Sequence, residues 1–298
     1  MKRRLLAATA TLAALSIPNL ALAQDNTIIV DGARVETADI RQTARDITEG
    51  VMATQEPLAR YQRPICPGVW GLSAENAQPL VDRIIENARN AGVDVNEEPG
   101  CGANMWVIVT DDVGATFERL HEADSFMTRH LTRFQRRKVR DQEGNARAWN
   151  VISDRNENGE RVASGFEYTA GYAASQAQGV PDPPANEISG ASRLETGIRK
   201  DIELSVVLVE RSAIANLDAY AIADYATMRL LAFTTPPKEE GEVGTVLTLF
   251  NPGASELAPQ RLTVFDQAYL QALYRSDEMR PARIAIGNVQ ELMERVTQ

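Results

Sequence analysis

The residue whose placement is most unusual for its chemistry is Asp224, a carboxylate within the apolar stripe of a predicted helix. It shares that stripe, at helical spacing, with Leu217, Ala221, Met228 and Leu231. A carboxylate on a buried face has to be paired, hydrogen-bonded or functional, because an isolated buried charge is costly. One interpretation is a structural acid bonded to an arginine, a tyrosine or a backbone amide. The other is an acid or base of an enzyme, and enclosure of Asp224 by an arginine would argue against it.

The enzymatic interpretation is a metal-independent hydrolase that uses carboxylates. It would combine Asp224 with Tyr225, Asp266 or Tyr269, and these four are the candidate catalytic residues. Asp266 also has a structural interpretation, because residues 263–266 form a capping-box variant at the start of a predicted helix.

Signatures of other catalytic chemistries are missing from the sequence. The chain has no Gly-x-Ser-x-Gly elbow, no phosphate-binding loop and no Cys-x-x-Cys pair. His121 and His130 would point in opposite directions on one straight helix, so they cannot form a zinc pair one turn apart. We therefore predict no metal ion and no cofactor.

A strand–helix–strand pattern positions the two cysteines, Cys66 and Cys101. Residues 64–72 and 104–110 read as strands, and the helix between them contains Pro79 at its first position and ends before Gly92. Parallel strands joined by a crossover would place both cysteines near the starts of neighbouring strands. Because an even pair in an exported chain indicates a bridge, we predict a Cys66–Cys101 disulfide.

Residues 148–153 and 161–168 read as a hairpin whose turn includes Asn158-Gly159. The same turn, from Asp154 to Gly159, resembles the opening of a calcium loop, but Gly165 stands where a bidentate Glu is required. The hairpin is therefore the favoured interpretation.

The first 23 residues are typical of a secretory signal peptide. Three basic residues precede an apolar stretch, and a small-residue exit ends at Ala23. No later segment approaches about 18 uninterrupted apolar residues, so the mature chain is predicted to lack a transmembrane segment. Loss of the three basic residues takes the formal net charge from −10 to −13, which disfavours nucleic acid as a partner. We expect a periplasmic or secreted protein.

The order of predicted elements indicates an α+β fold, a mixed sheet with flanking helices. Residues 24–298 form one mature domain in this interpretation. The Pro183-Pro184 loop divides it into lobes 24–175 and 190–298.

Parts of the C-terminal half resemble an uncharacterised family of secreted bacterial proteins with a zincin-like layout. The resemblance covers residues 192–285 and is carried by residues 223–232, 247–250 and 262–274, the last with a Leu-Thr-x-x-Asp-x-x-x-Leu-x-x-Leu-Tyr pattern. It implies a strand, a helix in the active-helix position, a loop and a second helix, as in a degenerate zincin-like lobe. The His-Glu-x-x-His motif is missing: residues 223–227 read Ala-Asp-Tyr-Ala-Thr, and no histidine follows His130.

The resemblance and the missing ligands together lead to one expected function. We expect an exported, non-catalytic protein that binds a peptide or a protein in a protease-like cleft. The alternatives are the hydrolase centred on Asp224 and a structural envelope component, which would have no cleft.

Overall fold

The computed structural model describes residues 35–50, 55–185, 195–238, 241–254 and 258–296, and all structural statements below concern these ranges. Within them the chain forms nine α-helices and one four-stranded sheet. This confirms the predicted α+β fold with a mixed sheet and flanking helices. The predicted signal peptide, residues 1–23, lies outside the described residues. None of the described helices is long and apolar enough to cross a membrane.

The bounds of the elements are as follows. The strands are β1 (Pro67–Trp70), β2 (Met105–Thr110), β3 (Ala146–Arg155) and β4 (Arg199–Glu210). The helices are α1 (Thr37–Ile47), α2 (Ala74–Ala91), α3 (Val113–Glu122), α4 (Arg133–Arg140), α5 (Gly165–Gln178), α6 (Ala219–Leu231), α7 (Val264–Arg275), α8 (Ala282–Gly287) and α9 (Val289–Val296).

The sheet has the strand order β1-β2-β4-β3. β1, β2 and β4 are parallel, and β3 pairs antiparallel with β4. The predicted parallel pairing across α2 is therefore confirmed. β4 follows the Pro183-Pro184 loop in sequence but lies between β2 and β3, so the segments on both sides of that loop contribute strands to one sheet.

Alternating side chains divide the sheet into two packed faces, as expected for strands buried on both sides. One face carries Val107, Val207 and Val209, which cluster with buried residues of α1, α2, α6 and α7. The other carries Val206 and Leu208, which cluster with residues of α3 and with residues around α4. The outer edge of β3 therefore lies between two helical layers.

The disulfide Cys66–Cys101 is present and confirms the prediction, with a Cα–Cα distance of 6.2 Å. Gly92 ends α2 in the left-handed conformation, at φ +90°, as the sequence predicts. Pro79 is not at the start of that helix: α2 begins five residues earlier, at Ala74, and Pro79 lies inside it.

Gly71 also has φ +90°, but its surroundings differ from those of Gly92. A Cβ at Gly71 would lie 2.0 Å from the Val109 carbonyl oxygen, whereas a Cβ at Gly92 would meet nothing within 4 Å.

The predicted hairpin of residues 148–153 and 161–168 is wrong. β3 takes β4 as its ladder partner, and Arg161 forms a single bridge with Arg155, which lies outside the predicted strand 148–153. The physical reason is that the apolar β4 offers a partner along all of β3, whereas residues from Gly165 onward form α5. Both oxygens of the Asp154 carboxylate are bonded, one to the Ser164 hydroxyl and the other to Lys200.

Candidate functional site

Asp224 is fully buried on α6 and is held by three groups of other elements. Arg83 of α2 donates from Nε at 2.7 Å and from Nη2 at 3.1 Å, one bond to each carboxylate oxygen. The Asn87 side-chain amide donates at 2.7 Å and the Leu262 backbone N–H at 3.0 Å. The Asp224 carboxylate raises the pKa of the Arg83 guanidinium through these bonds. A carboxylate enclosed in this way ties α6 to α2 and to the chain before α7, which favours the structural interpretation.

Asp266 is also fully buried and links two loops. Its oxygens accept bonds from the Thr245 hydroxyl at 2.6 Å, the Val246 N–H at 2.9 Å and the Thr263 N–H at 3.0 Å. The capping box with Thr263 is present, as the sequence predicts. Burial raises the pKa of the Asp266 carboxyl to about 6.

The two candidate tyrosines are buried as well. Tyr225 packs edge-to-face on Phe250, with ring centroids 4.7 Å apart, and burial raises its pKa. Tyr269 lies 2.8 Å from the Thr48 hydroxyl, which itself donates to the Ala44 carbonyl, so Tyr269 donates to Thr48. Burial raises the pKa of Tyr269 to about 12. Of the four candidate residues, Tyr269 lines the groove described next.

A cavity of about 390 Å³ follows the outer edge of β3, and we call it the β3 groove. Its floor is the strand from Ala148 to Asp154. The wall on the α4 side carries Leu131, Phe134 and Val139, and the opposite wall carries Leu58, Phe233 and Tyr269. The volume lies within the range of small-ligand sites in proteins.

Backbone alternation determines which β3 groups face the groove. The Glu210 N–H bonds the Asn145 carbonyl at 2.9 Å, so odd-numbered residues of β3 face β4 and even-numbered ones face outward. The register shift between Val151 and Ile152 places the extra residue, Glu203, on β4 and leaves the alternation of β3 unchanged. At Ala148 the outward groups are occupied by the Gln142 side chain: its Nε2 donates to the Ala148 carbonyl at 2.7 Å, and its Oε1 accepts from the Ala148 N–H at 2.8 Å. Gln142 thus takes the place of a neighbouring strand.

The next two outward-facing residues, Asn150 and Ile152, line the groove. The described residues provide no hydrogen-bond partner for the groove-facing N–H and C=O of either one. At Asp154 the edge is closed again, because the Val162 N–H bonds the Asp154 carbonyl at 2.9 Å. With respect to the described residues, the unpaired part of the edge is therefore a short window, bounded by the occupied groups of Ala148 at one end and by the occupied Asp154 carbonyl at the other.

A buried arginine fixes the Gln142 side chain. Arg229 is almost fully buried and donates from Nη2 to Gln142 Oε1 at 3.1 Å and from Nη1 to the Thr234 carbonyl at 2.6 Å. Because Oε1 accepts from a cation and from a backbone N–H together, the amide cannot flip without losing both bonds. Gln142 is thus a rigid end to the groove.

The charged residues around the groove pair with one another. The pairs are Lys138 with Glu49 at 3.2 Å, Lys200 with Asp154 at 3.1 Å and with Glu56 at 3.3 Å, and Arg161 with Glu167 at 2.8 Å. The groove therefore presents apolar walls, a strip of backbone donors and acceptors, and a rim whose charges are compensated.

The sequence pattern did not indicate this groove, apart from Tyr269. The predicted hairpin placed residues 161–168 beside residues 148–153, the strand whose outer edge the groove follows. To predict the groove, the sequence would have had to indicate that β3 pairs with β4 instead of with residues 161–168.

Within the described ranges, no three side chains of His, Cys, Asp and Glu are placed together to hold a metal ion. Comparisons with protein-family models, with curated proteins and with solved structures found no match to this chain.

Proposed function

We propose that this protein is an exported, non-catalytic protein that binds an extended polypeptide segment as an added strand beside β3. The observation that carries the proposal is the window at Asn150 and Ile152 within the β3 groove, whose outward backbone groups have no partner among the described residues. Strand addition uses such groups for affinity and the flanking walls for specificity. A peptide or a protein, the predicted class of partner, has the backbone donors and acceptors that would pair with these groups.

The closed ends of the window support a specific site. An open edge strand pairs with any strand and favours aggregation, and proteins protect such edges. Here the Gln142 amide and the Val162 N–H occupy the two flanking positions, so only a short segment finds free partners.

The other parts of the proposal have separate support. Asp224, Tyr225 and Asp266 are buried and engaged in structural contacts, which supports a role without catalysis. The groove supports binding over a purely structural envelope role. Export is supported by the signal-like residues 1–23 and by the disulfide, because disulfides persist in oxidising compartments. The zincin-like resemblance agrees with a polypeptide as the ligand.

The test uses Ac-Ser-Ala-Leu-Ala-Ser-NH₂ as the probe, with binding measured by calorimetry. The matched ligands are variants of this peptide, each with one N-methyl group on the backbone nitrogen of one of the three central residues. Each methyl group removes one N–H donor that strand pairing needs. We expect binding of the unmodified peptide and at least tenfold weaker binding of one or more methylated forms. Equal binding of all forms, or no binding at millimolar concentration, would refute strand addition.

On the protein side, Ile152→Pro removes one groove-facing donor and leaves the β4 ladder intact, because the Ile152 N–H points away from β4. Ile152→Ala is the control that removes the side chain but keeps the N–H. We expect Ile152→Pro to weaken binding at least tenfold more than Ile152→Ala, with both variants folded by circular dichroism. Equal affinities of the two variants would contradict the proposal.

A further inference from the structure

Resting on the proposed function, we propose that the bound segment is a three-residue stretch whose central residue is large, apolar and uncharged, and inserts its side chain between β3 and α4.

The length follows from the occupied positions at the ends of the window. Gln142 holds the outward groups of Ala148, and Val162 bonds the outward carbonyl of Asp154. Among the described residues, only Asn150 and Ile152 have both outward groups without a partner, and they lie two residues apart; at Asp154 the N–H alone has none. A ligand strand that pairs with both places three consecutive residues against residues 150–152.

The direction of the central side chain follows from the pleat. Residues directly opposite each other on neighbouring strands point their side chains to the same face. Val151 packs on the face of the sheet that α3 and α4 cover, whereas Ile152 packs on the other face. The ligand residue opposite Val151 therefore turns its side chain toward α4.

The surface that receives this side chain is apolar and partly open. Leu131, Phe134, Val139 and Trp149 line the groove on this side. Phe134 is 57% exposed, so much of its ring is free to be covered by a ligand. A large apolar ligand side chain would cover it, and burial of that area would favour binding.

Charge argues against an ionic central residue. Lys138, the α4 cation in the described lining of the groove, already pairs with Glu49 and lies over the Phe134 ring, 5.4 Å from its centroid. An acidic ligand residue would have to displace Glu49, and a basic one would face Lys138. A charged side chain would therefore lose its hydration without gaining a free counter-ion.

The test compares the peptides Ac-Ser-Ala-X-Ala-Ser-NH₂ with X as Leu, Phe, Ala, Glu or Lys, again by calorimetry. We expect the Leu and Phe peptides to bind at least tenfold more tightly than the Ala peptide, a difference of about 1.4 kcal/mol. The Glu and Lys peptides should bind no more tightly than the Ala peptide.

A pair of protein variants locates the contact. Phe134→Ala should weaken binding of the Leu peptide at least fivefold and leave the Ala peptide within twofold. The control is Phe126→Ala, which removes another exposed phenylalanine. Phe126 is not among the residues that line the groove, and its ring centroid lies 6.5 Å from that of Trp106. It should leave all affinities within twofold.

The outcomes separate this inference from the proposed function. If affinity is independent of X while N-methylation still weakens it, strand addition stands and the apolar central position is wrong. Tighter binding of the Glu peptide than of the Leu peptide, or equal effects of the two phenylalanine variants, would also overturn this inference. No binding of any peptide would refute both.

Discussion

If Asp224 is a structural acid, removal of its charge should lower the free energy of unfolding. Replacement of Asp224 by Asn keeps the size of the side chain but removes the charge and one acceptor. Four hydrogen bonds, two from Arg83 and one each from Asn87 and Leu262, then face a group that can accept only part of them. Breaking a buried ion pair from one side costs about 3–5 kcal/mol. The Arg83 side chain is 24% exposed and can turn to water or to Glu86, so we expect about 3 kcal/mol.

The measurement is urea unfolding at pH 7, followed by tryptophan fluorescence, with the slope m compared between variants. The matched control is Asp111→Asn, which breaks the ion pair of Asp111 with Arg211 on the surface, where the side chains are 89% and 51% exposed. That control should cost less than about 1 kcal/mol. In the Asp224→Asn background, a further change of Arg83 to Met should cost little, because the pair is already broken. Losses of the same size for Asp224→Asn and Asp111→Asn would refute the structural role of this carboxylate.

Three further predictions concern the buried acid, the disulfide and a crowded glycine. The pKa of Asp266 is raised from 3.8 to about 6 in the folded protein, so its contribution to stability is full below about pH 4 and is lost as the pH rises through 6. The difference in unfolding free energy between wild type and Asp266→Asn should therefore fall by about 2.4 kcal/mol from pH 4 to 7.5, and a constant difference would contradict this. Replacement of both Cys66 and Cys101 by Ser should lower the unfolding free energy by about 4 kcal/mol, given the 35-residue separation, and no change in the urea midpoint would contradict it. Gly71→Ala should destabilise by at least about 2 kcal/mol more than Gly92→Ala, because both have φ +90° but only Gly71 is crowded by a backbone carbonyl; equal thermal midpoints would show otherwise.

Local signals in the sequence predicted several features of the structure correctly. The apolar run that became β2, the stop at Gly92 and the capping box at Thr263 each depend on residues close together in the chain. The disulfide between Cys66 and Cys101 followed from the parallel crossover that separates them. Asp224 was identified as an unusual carboxylate, although the sequence could not name Arg83, which is 141 residues away.

The partner of β3 and the groove beside it could not be predicted in the same way. Asn158-Gly159 is a strong local hairpin signal, but β4 offers a longer apolar ladder, and this tertiary pairing outweighed the turn. The groove itself combines β3, α4, α7, residues after α1 and residues after α6. The position of the groove depends on how those elements pack together, and the spacing of residues in the sequence does not indicate this packing.

The position of β4 in the sheet has a consequence for how the chain reaches its native state. β2 and β3 are both made before β4, yet each must wait for β4 to arrive between them. A nascent chain that ends before residue 199 would leave β2 and β3 without the strand that lies between them. Such delayed, long-range pairing slows folding and prolongs the exposure of strand edges. The N-terminal portion alone should therefore need protection from aggregation until the whole polypeptide has been synthesised.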